Sequence, residues 1–433
     1  MTRYIILGSG VAAAGAVYAS KQAGIMPTIY EKDSHIGGHT ASHVVEGKWT
    51  FDEGPHISFT RDARIQELFS SNIKGEFETK KCVVNNYWKG HWIKHPAQVN
   101  LHGLPADLIC KILIEISNLP TPNQISIRTY EDWLRASYGN TFSELFPMAY
   151  ARKYHTTDAS NLSTEWIGPR LYQPSLDEVI MGALGDAKEV HYITEFRYPR
   201  RGGFASYVKP FFDMSDIRLN HKVVGIDHRN TTIYFAGGVK DHYDKLLSSL
   251  PLPELISILK EVPKDVREAA SLLACTELMV VTIGVDRSNL LDANWSYFYD
   301  EDIVFSRLST PHLQSSLNAP EGCGIIQAEC YYSRKYRPLA VSQESLIDSV
   351  ISDLRRCGIL RENDQLLFKN VLHIKYANVI FDHETNNAKK IVHEFLDTIG
   401  LGYCGRYGDW EYYWTDQAFI SGEKAAKAMV VGI

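Results

Sequence analysis

A chain of 433 residues, 45% of them hydrophobic and 22% charged, has the composition of an ordinary globular protein. It is too long for one compact core, so two or three lobes are expected. A net charge of -6 gives no electrostatic reason to pair it with nucleic acid or an anionic membrane surface, and no apolar run reaches the length of a bilayer span. The seven cysteines are scattered and odd in number, with no CxxC pair. That pattern fits a reducing cytoplasm and speaks against a disulfide framework or a metal site.

The chain opens with a short apolar run, Tyr4 to Leu7, which reads as a buried parallel strand feeding into Gly8, Gly10, Ala13 and Gly15 of an alanine-rich helix. This is a phosphate cradle. Gly8 allows the tight turn, Gly10 lets a pyrophosphate approach the backbone, and Ala13 or Gly15 keeps the helix close to the sheet. The helix N-terminus supplies free amides and a positive field. A second strand, Pro27 to Tyr30, ends in Glu31, placed as the acid that accepts hydrogen bonds from a ribose. A lone GxGxxA is weak evidence, but strand, helix, strand and acid follow in order within about thirty residues.

After Glu31 come Gly37 and Gly38, then two alternating strands about a turn that end in Asp52, Gly54 and His56. An acid, a later Gly-Gly pair and a GxH loop resemble the FAD-binding opening shared by amine oxidases, protoporphyrinogen oxidases and UDP-galactopyranose mutases. The resemblance implies FAD as cofactor, with Gly38 near its phosphates and ribityl chain and His56 bordering the isoalloxazine.

Further along, Ile65, Leu68 and Phe69 recur at helical spacing. A hairpin about Lys89 and Gly90 follows, dense in aromatics. Its Trp88 and Trp92 either line a pocket or are ordinary half-buried strand residues. From Pro105 to Glu165 the signal is helical, with Thr129 and Asp132 spaced as a capping box. This marks an inserted lobe, where the flavoproteins named above carry a substrate-covering domain.

The next stretch sets Arg170, Arg197, Arg200 and Arg201 among Trp166, Tyr172, Tyr192, Phe196 and Tyr198. Guanidiniums and stacking faces suit a nucleoside diphosphate, and equally a solvated cationic surface. "PRLYQP" followed by "YPRRGGFASYVKPF" resembles the RLPVR and GIPxGGY elements of the mutases, which maps their diphosphate-binding arginine onto Arg170; the second arginine of that element is missing. Strands return from Ile217 to Ser249, and the resemblance puts Val224, or its neighbour Val223, against the adenine. A long antiparallel region from Thr276 to Ser333 reads as a sheet over the flavin. In it Arg307 either points into the cleft or lies at a sheet edge. Tyr376 resembles a phosphate-contacting tyrosine of the mutases, with Ala377 where they have proline. Gly405, Arg406 and a helix from Asp416 resemble their closing element, the helix N-terminus facing the flavin's pyrimidine end. Two extra residues between Arg406 and Asp416 leave Tyr412, Tyr413 and Trp414 as candidates for one role.

The expected fold is α/β: a doubly wound, glutathione reductase-like Rossmann domain for FAD with an inserted helical lobe and an antiparallel β substrate domain. The FAD domain is expected from segments 1–75, 206–265 and 386–433, the helical insertion with its leading hairpin from 76–165, and the substrate domain from 166–205 and 266–385. The resemblance implies isomerisation of a nucleotide-diphosphate sugar between pyranose and furanose forms, a step of polysaccharide biosynthesis, with N5 of reduced FAD as the nucleophile. Arg170, Arg307 and Arg406 would then hold the departing diphosphate with Tyr376, and Tyr412 and Tyr413 are expected against the substrate. The alternative is an FAD-dependent oxidoreductase of the amine or protoporphyrinogen oxidase type, which wants an aromatic cage and no arginine cluster. A third is a flavin-holding protein without turnover.

Overall fold

The computed structural model describes residues 2–119, 126–168, 171–185, 190 and 193–430. At its centre the strand Tyr4–Leu7, buried at every position, pairs in parallel with Thr28–Tyr30 on one side and Lys245–Ser248 on the other. Asp216–Arg218 and Gly402–Tyr403 complete a five-stranded parallel sheet. Alternation along the central strand sorts its two faces. Tyr4 and Ile6 join the core under the first helix, Val11–Gln22, and the last, Thr415–Val430. Ile5 and Leu7 instead meet the antiparallel meander of Val223–Asp227, Thr232–Phe235 and Lys240–His242, and the helices beyond it. Layers on both faces of a parallel sheet are the doubly wound arrangement expected.

The first and last helices cross in backbone contact. A Cβ on Gly15 would lie 2.8 Å from the carbonyl carbon of Phe419, and one on Gly422 would lie 2.7 Å from that of Ala12. Gly15 therefore serves this helix crossing rather than the packing of helix on sheet. The sheet side falls to Ala13, which is wholly buried.

A second sheet of seven strands runs in the order Leu366–Ile374, Thr276–Val285, Gly324–Ser333, Arg307–Ser309, Trp295–Phe298, Val84–Trp88, His91–Lys94. Its pairs are antiparallel except Trp295–Phe298 with Val84–Trp88. The aromatic hairpin thus forms one edge of this seven-stranded sheet, although local sequence pattern attaches it to the helical lobe. What draws it there is long-range packing: Tyr87 lies 5.2 Å from Phe298, and Trp92 5.8 Å. The helical lobe contains Ala106–Ser117, Tyr130–Ser143 and Ala149–Tyr154. Thr129 and Asp132 form the expected reciprocal cap. Among the described residues no helix is long and apolar enough to cross a membrane.

Candidate functional site

One cavity of about 1030 Å³ runs from the carboxyl ends of the parallel strands to the space between the seven-stranded sheet and the helical lobe. At its first end Gly8 holds a φ of +91°, and its amide donates to the Tyr30 carbonyl at 2.8 Å. The Gly37 amide donates to the Ser9 carbonyl at 2.9 Å. A Cβ on Gly38 would come within 3.1 Å of the Gly10 Cα, so the two glycine turns touch and a side chain would force them apart. Glu31 is buried, and its carboxylate accepts from the Ser9 amide at 2.9 Å, the Ser9 hydroxyl at 2.6 Å and the Asp33 amide at 2.9 Å. The acid is thereby held in place at the cavity wall, at the end of the second strand.

Val224 sits at a bulge between Val223 and Gly225 and is 49% exposed, while Val223 lines the cavity. The bulge turns the extra residue outward, so that of the two expected positions Val223 is the one that lines the cavity. The last helix begins at Thr415, so Thr415 and Ala418 face the cavity and Asp416 does not. Three residues apart share a helix face, whereas the next residue is rotated by about 100°. The Asp416 carboxylate accepts from the Gln417 amide instead. Gly405, at a φ of +85°, lines the cavity and donates its amide to Ser421 Oγ at 2.8 Å.

His56 and His39 both line the cavity. His56 Nδ1 lies 3.2 Å from the Gly54 carbonyl. Burial, reinforced by His39, pulls its pKa down to about 4, so the ring is neutral near pH 7. His39, edge-on to Tyr407 at 5.3 Å, is also pulled down, first by burial and then by the Arg406 charge against the opposing pull of Glu53. Because the folded His56 has a lowered pKa, its stabilising contribution is present above its unfolded value near 6.5 and is lost as pH falls towards about 4. His56→Gln is expected to flatten the dependence of melting temperature on pH across that window; an unaltered slope would remove His56 as its source.

The cationic candidates part ways. Arg307 does face the cavity, but it forms a two-point pair with Glu329 at 2.8 and 2.9 Å, and Glu329 also accepts from the Tyr331 hydroxyl at 2.5 Å. Its charge is cancelled locally. Arg406 is different. Its Nη2 donates to Asn378 Oδ1 at 2.7 Å, its Nε is sealed without a partner, and no carboxylate pairs with it among the described residues. Its guanidinium lies 4.7 Å from the Tyr412 ring centre. Tyr412, Tyr413 and Trp414 all line the cavity; Tyr412 shares a 2.8 Å hydrogen bond with Tyr154, and Trp414 packs edge-on against Phe59 at 5.1 Å. Tyr376 donates its hydroxyl proton to Glu254 at 3.0 Å. Arg170 lies outside the described residues. Arg197 stacks on Phe77 at 4.8 Å, and Arg200 and Arg201 are exposed; none of these three reaches the cavity.

Sequence reading missed Glu329, Tyr154 and Asn378. The one local signal was a lone glutamate within the apolar strand Gly324–Ser333. Its pairing with Arg307 is a cross-strand register, invisible along the chain. Glu329→Gln is expected to cost about 3 kcal/mol by leaving a buried guanidinium uncompensated, read by denaturant unfolding. A double change, Arg307→Met with Glu329→Leu, is expected to recover most of that loss.

A glycine turn at the end of a parallel strand, a buried acid at the end of the next strand and a cavity that continues into a mixed aromatic and polar chamber are the arrangement of a dinucleotide-binding fold. The sequence profile of the flavin-containing amine oxidoreductases matches residues 9–430, and the chain belongs to that family. Its cofactor is FAD. Among solved structures it is similar to a reduced UDP-galactopyranose mutase, at 22% identity and a TM-score of 0.93, over 100% of this chain and 96% of the other. A chain from Exiguobacterium sp. 255-15, assigned provisionally as a protoporphyrinogen oxidase, aligns at 15% identity and TM-score 0.78, covering 100% and 99% of the two chains. A redesigned putrescine oxidase aligns at 13% identity and TM-score 0.64, covering 99% of each. No curated protein sequence matches.

Proposed function

We propose that this flavoenzyme acts on a nucleotide-diphosphate sugar without net oxidation, isomerising the sugar ring as a mutase does. The observation that carries the reading is Arg406, a cation in the cavity wall whose Nε is sealed without a partner and which no carboxylate neutralises among the described residues. A site that holds such a charge unpaired is suited to an anion. Tyr412, stacked on the guanidinium, can offer its hydroxyl proton to a diphosphate oxygen while it accepts from Tyr154, and Tyr376, whose own proton goes to Glu254, also lines the cavity. Growing charge on a departing diphosphate would be offset there by Arg406. Arg170, which the mutase-like "PRLYQP" run offers as a second cation, belongs to the same reading. Gly8, Gly10, Gly38, Glu31, Val223 and Gly405 would hold FAD, with His56 as a neutral ring beside it. Bound FAD supplies an electron-rich ring when reduced and a hydride acceptor when oxidised.

A second reading, an oxidoreductase, is favoured by a different feature. Tyr150, Tyr154, Tyr297, Tyr299 and Tyr331 line the same chamber, and Arg307 presents no net charge to it. Titration of the oxidised and then the dithionite-reduced protein with UDP and UDP-galactose separates the two. Binding of UDP, with a change in the flavin spectrum on adding the sugar nucleotide only after reduction, is the expected result. Absence of nucleotide binding in both states would sink the mutase reading, and peroxide production from amines or porphyrinogens would then be measured.

A further inference from the structure

His155 stands just past the short helix Ala149–Tyr154 and is only 4% exposed. It lines the cavity beside Trp166 and Tyr154, whose ring centres lie 5.1 and 4.9 Å away. Nδ1 is sealed from solvent with no hydrogen-bond partner, and among the described residues nothing bonds Nε2. Burial drives the ring to its neutral form, with a pKa of about 3. A neutral imidazole carries one N–H and one lone pair. An orphaned buried N–H is rarer in native structures than an under-satisfied acceptor, so the proton belongs on Nε2 and the sealed Nδ1 is the bare nitrogen. The remaining donor then lacks an acceptor among the described residues, and His155 lines the cavity.

We propose that His155 Nε2–H is a substrate-binding donor, hydrogen-bonding a neutral oxygen acceptor, a hydroxyl or a carbonyl, of a molecule held against Trp166 and Tyr412. The neighbourhood sets this chemistry. Tyr412 lies 6.4 Å from Trp166 and 4.7 Å from the Arg406 guanidinium, so the His155 position adjoins the cationic one without being part of it. A neutral donor between aromatic faces suits an uncharged oxygen, leaving the anionic part of the ligand to Arg406. The choice of probe rests on the nucleotide-sugar reading, whereas the location of the ring proton does not.

The test uses the full-length, flavin-loaded protein, wild type beside His155→Phe and His155→Gln. Nitrogen NMR of histidine-labelled protein without ligand, assigned by the His155→Gln spectrum, reads the ring tautomer. Affinities for UDP and UDP-galactose are measured on the reduced forms at matched flavin content. The proton is expected on Nε2, and His155→Phe is expected to weaken binding by about 3- to 12-fold, with partial recovery in His155→Gln. A loss confined to UDP-galactose assigns the acceptor to the sugar, and a loss shared with UDP assigns it to the nucleoside diphosphate. A proton on Nδ1, or unchanged affinity for both ligands in His155→Phe, overturns the inference. If the wild-type protein binds neither nucleotide, the mutase reading falls by itself and the tautomer alone decides: Nε2–H upholds the donor, Nδ1–H removes it.

Discussion

Gly422→Val is expected to abolish the folded, yellow protein. The added Cβ would sit against the backbone carbonyl of Ala12 in the first helix, at 2.7 Å from its carbon, and the two γ-methyls would lie further inside the same crossing. Backbone atoms have no alternative rotamer, so relief requires the helices to separate. Separation would move Gly10 and Gly38, the start of the first helix and the turn that touches it, and with them the phosphate cradle. We expect a loss above about 4 kcal/mol, in the range reserved for a small set of severe core defects. Purified protein would show little bound flavin and an early, broad unfolding transition. The contrast is Gly358→Ala, where a Cβ meets nothing within 4 Å and only the left-handed φ of +72° resists it. That change is expected to cost about 1 kcal/mol. Equal losses in the two variants would mean that the helix crossing is not the tight contact described.

Arg406→Ala is expected to leave flavin content intact and to weaken UDP binding by about 2 to 4 kcal/mol, the cost of removing a buried charged partner. Uridine, which carries no phosphate, should bind the two proteins alike, so calorimetric titration with both ligands isolates the charge. Stability should hold or rise, because the wild-type chain keeps this guanidinium partly buried with its Nε unpaired. Arg406→Lys is expected to restore only part of the affinity, since an ammonium lacks the planar fork and the stacking on Tyr412. Unchanged UDP affinity in Arg406→Ala would withdraw the observation on which the mutase reading rests.

The chain divides into what nearest neighbours along it determine and what only folding decides. The opening forty residues were legible by themselves, because a strand, a glycine turn, a helix and an acid form one continuous unit whose geometry follows from short-range constraints. The Thr129 and Asp132 cap was legible for the same reason, being closed within a single helical turn. Even the resemblance to flavin-binding proteins rested on such local runs. Other features depend on partners far away in sequence. Gly15 meets Phe419 rather than the sheet, and the hairpin about Lys89 joins the strand Trp295–Phe298 rather than the helices that follow it. A single bulge decides between Val223 and Val224 at the cavity, in favour of Val223. The sharpest case is the arginines, which composition cannot tell apart. Cross-strand register gives Arg307 a carboxylate, while the close of the last segment sets Arg406 beside an amide and two tyrosine rings. Whether a cation is available to a ligand depends on what stands within about 4 Å of it, a property that belongs to the tertiary structure alone.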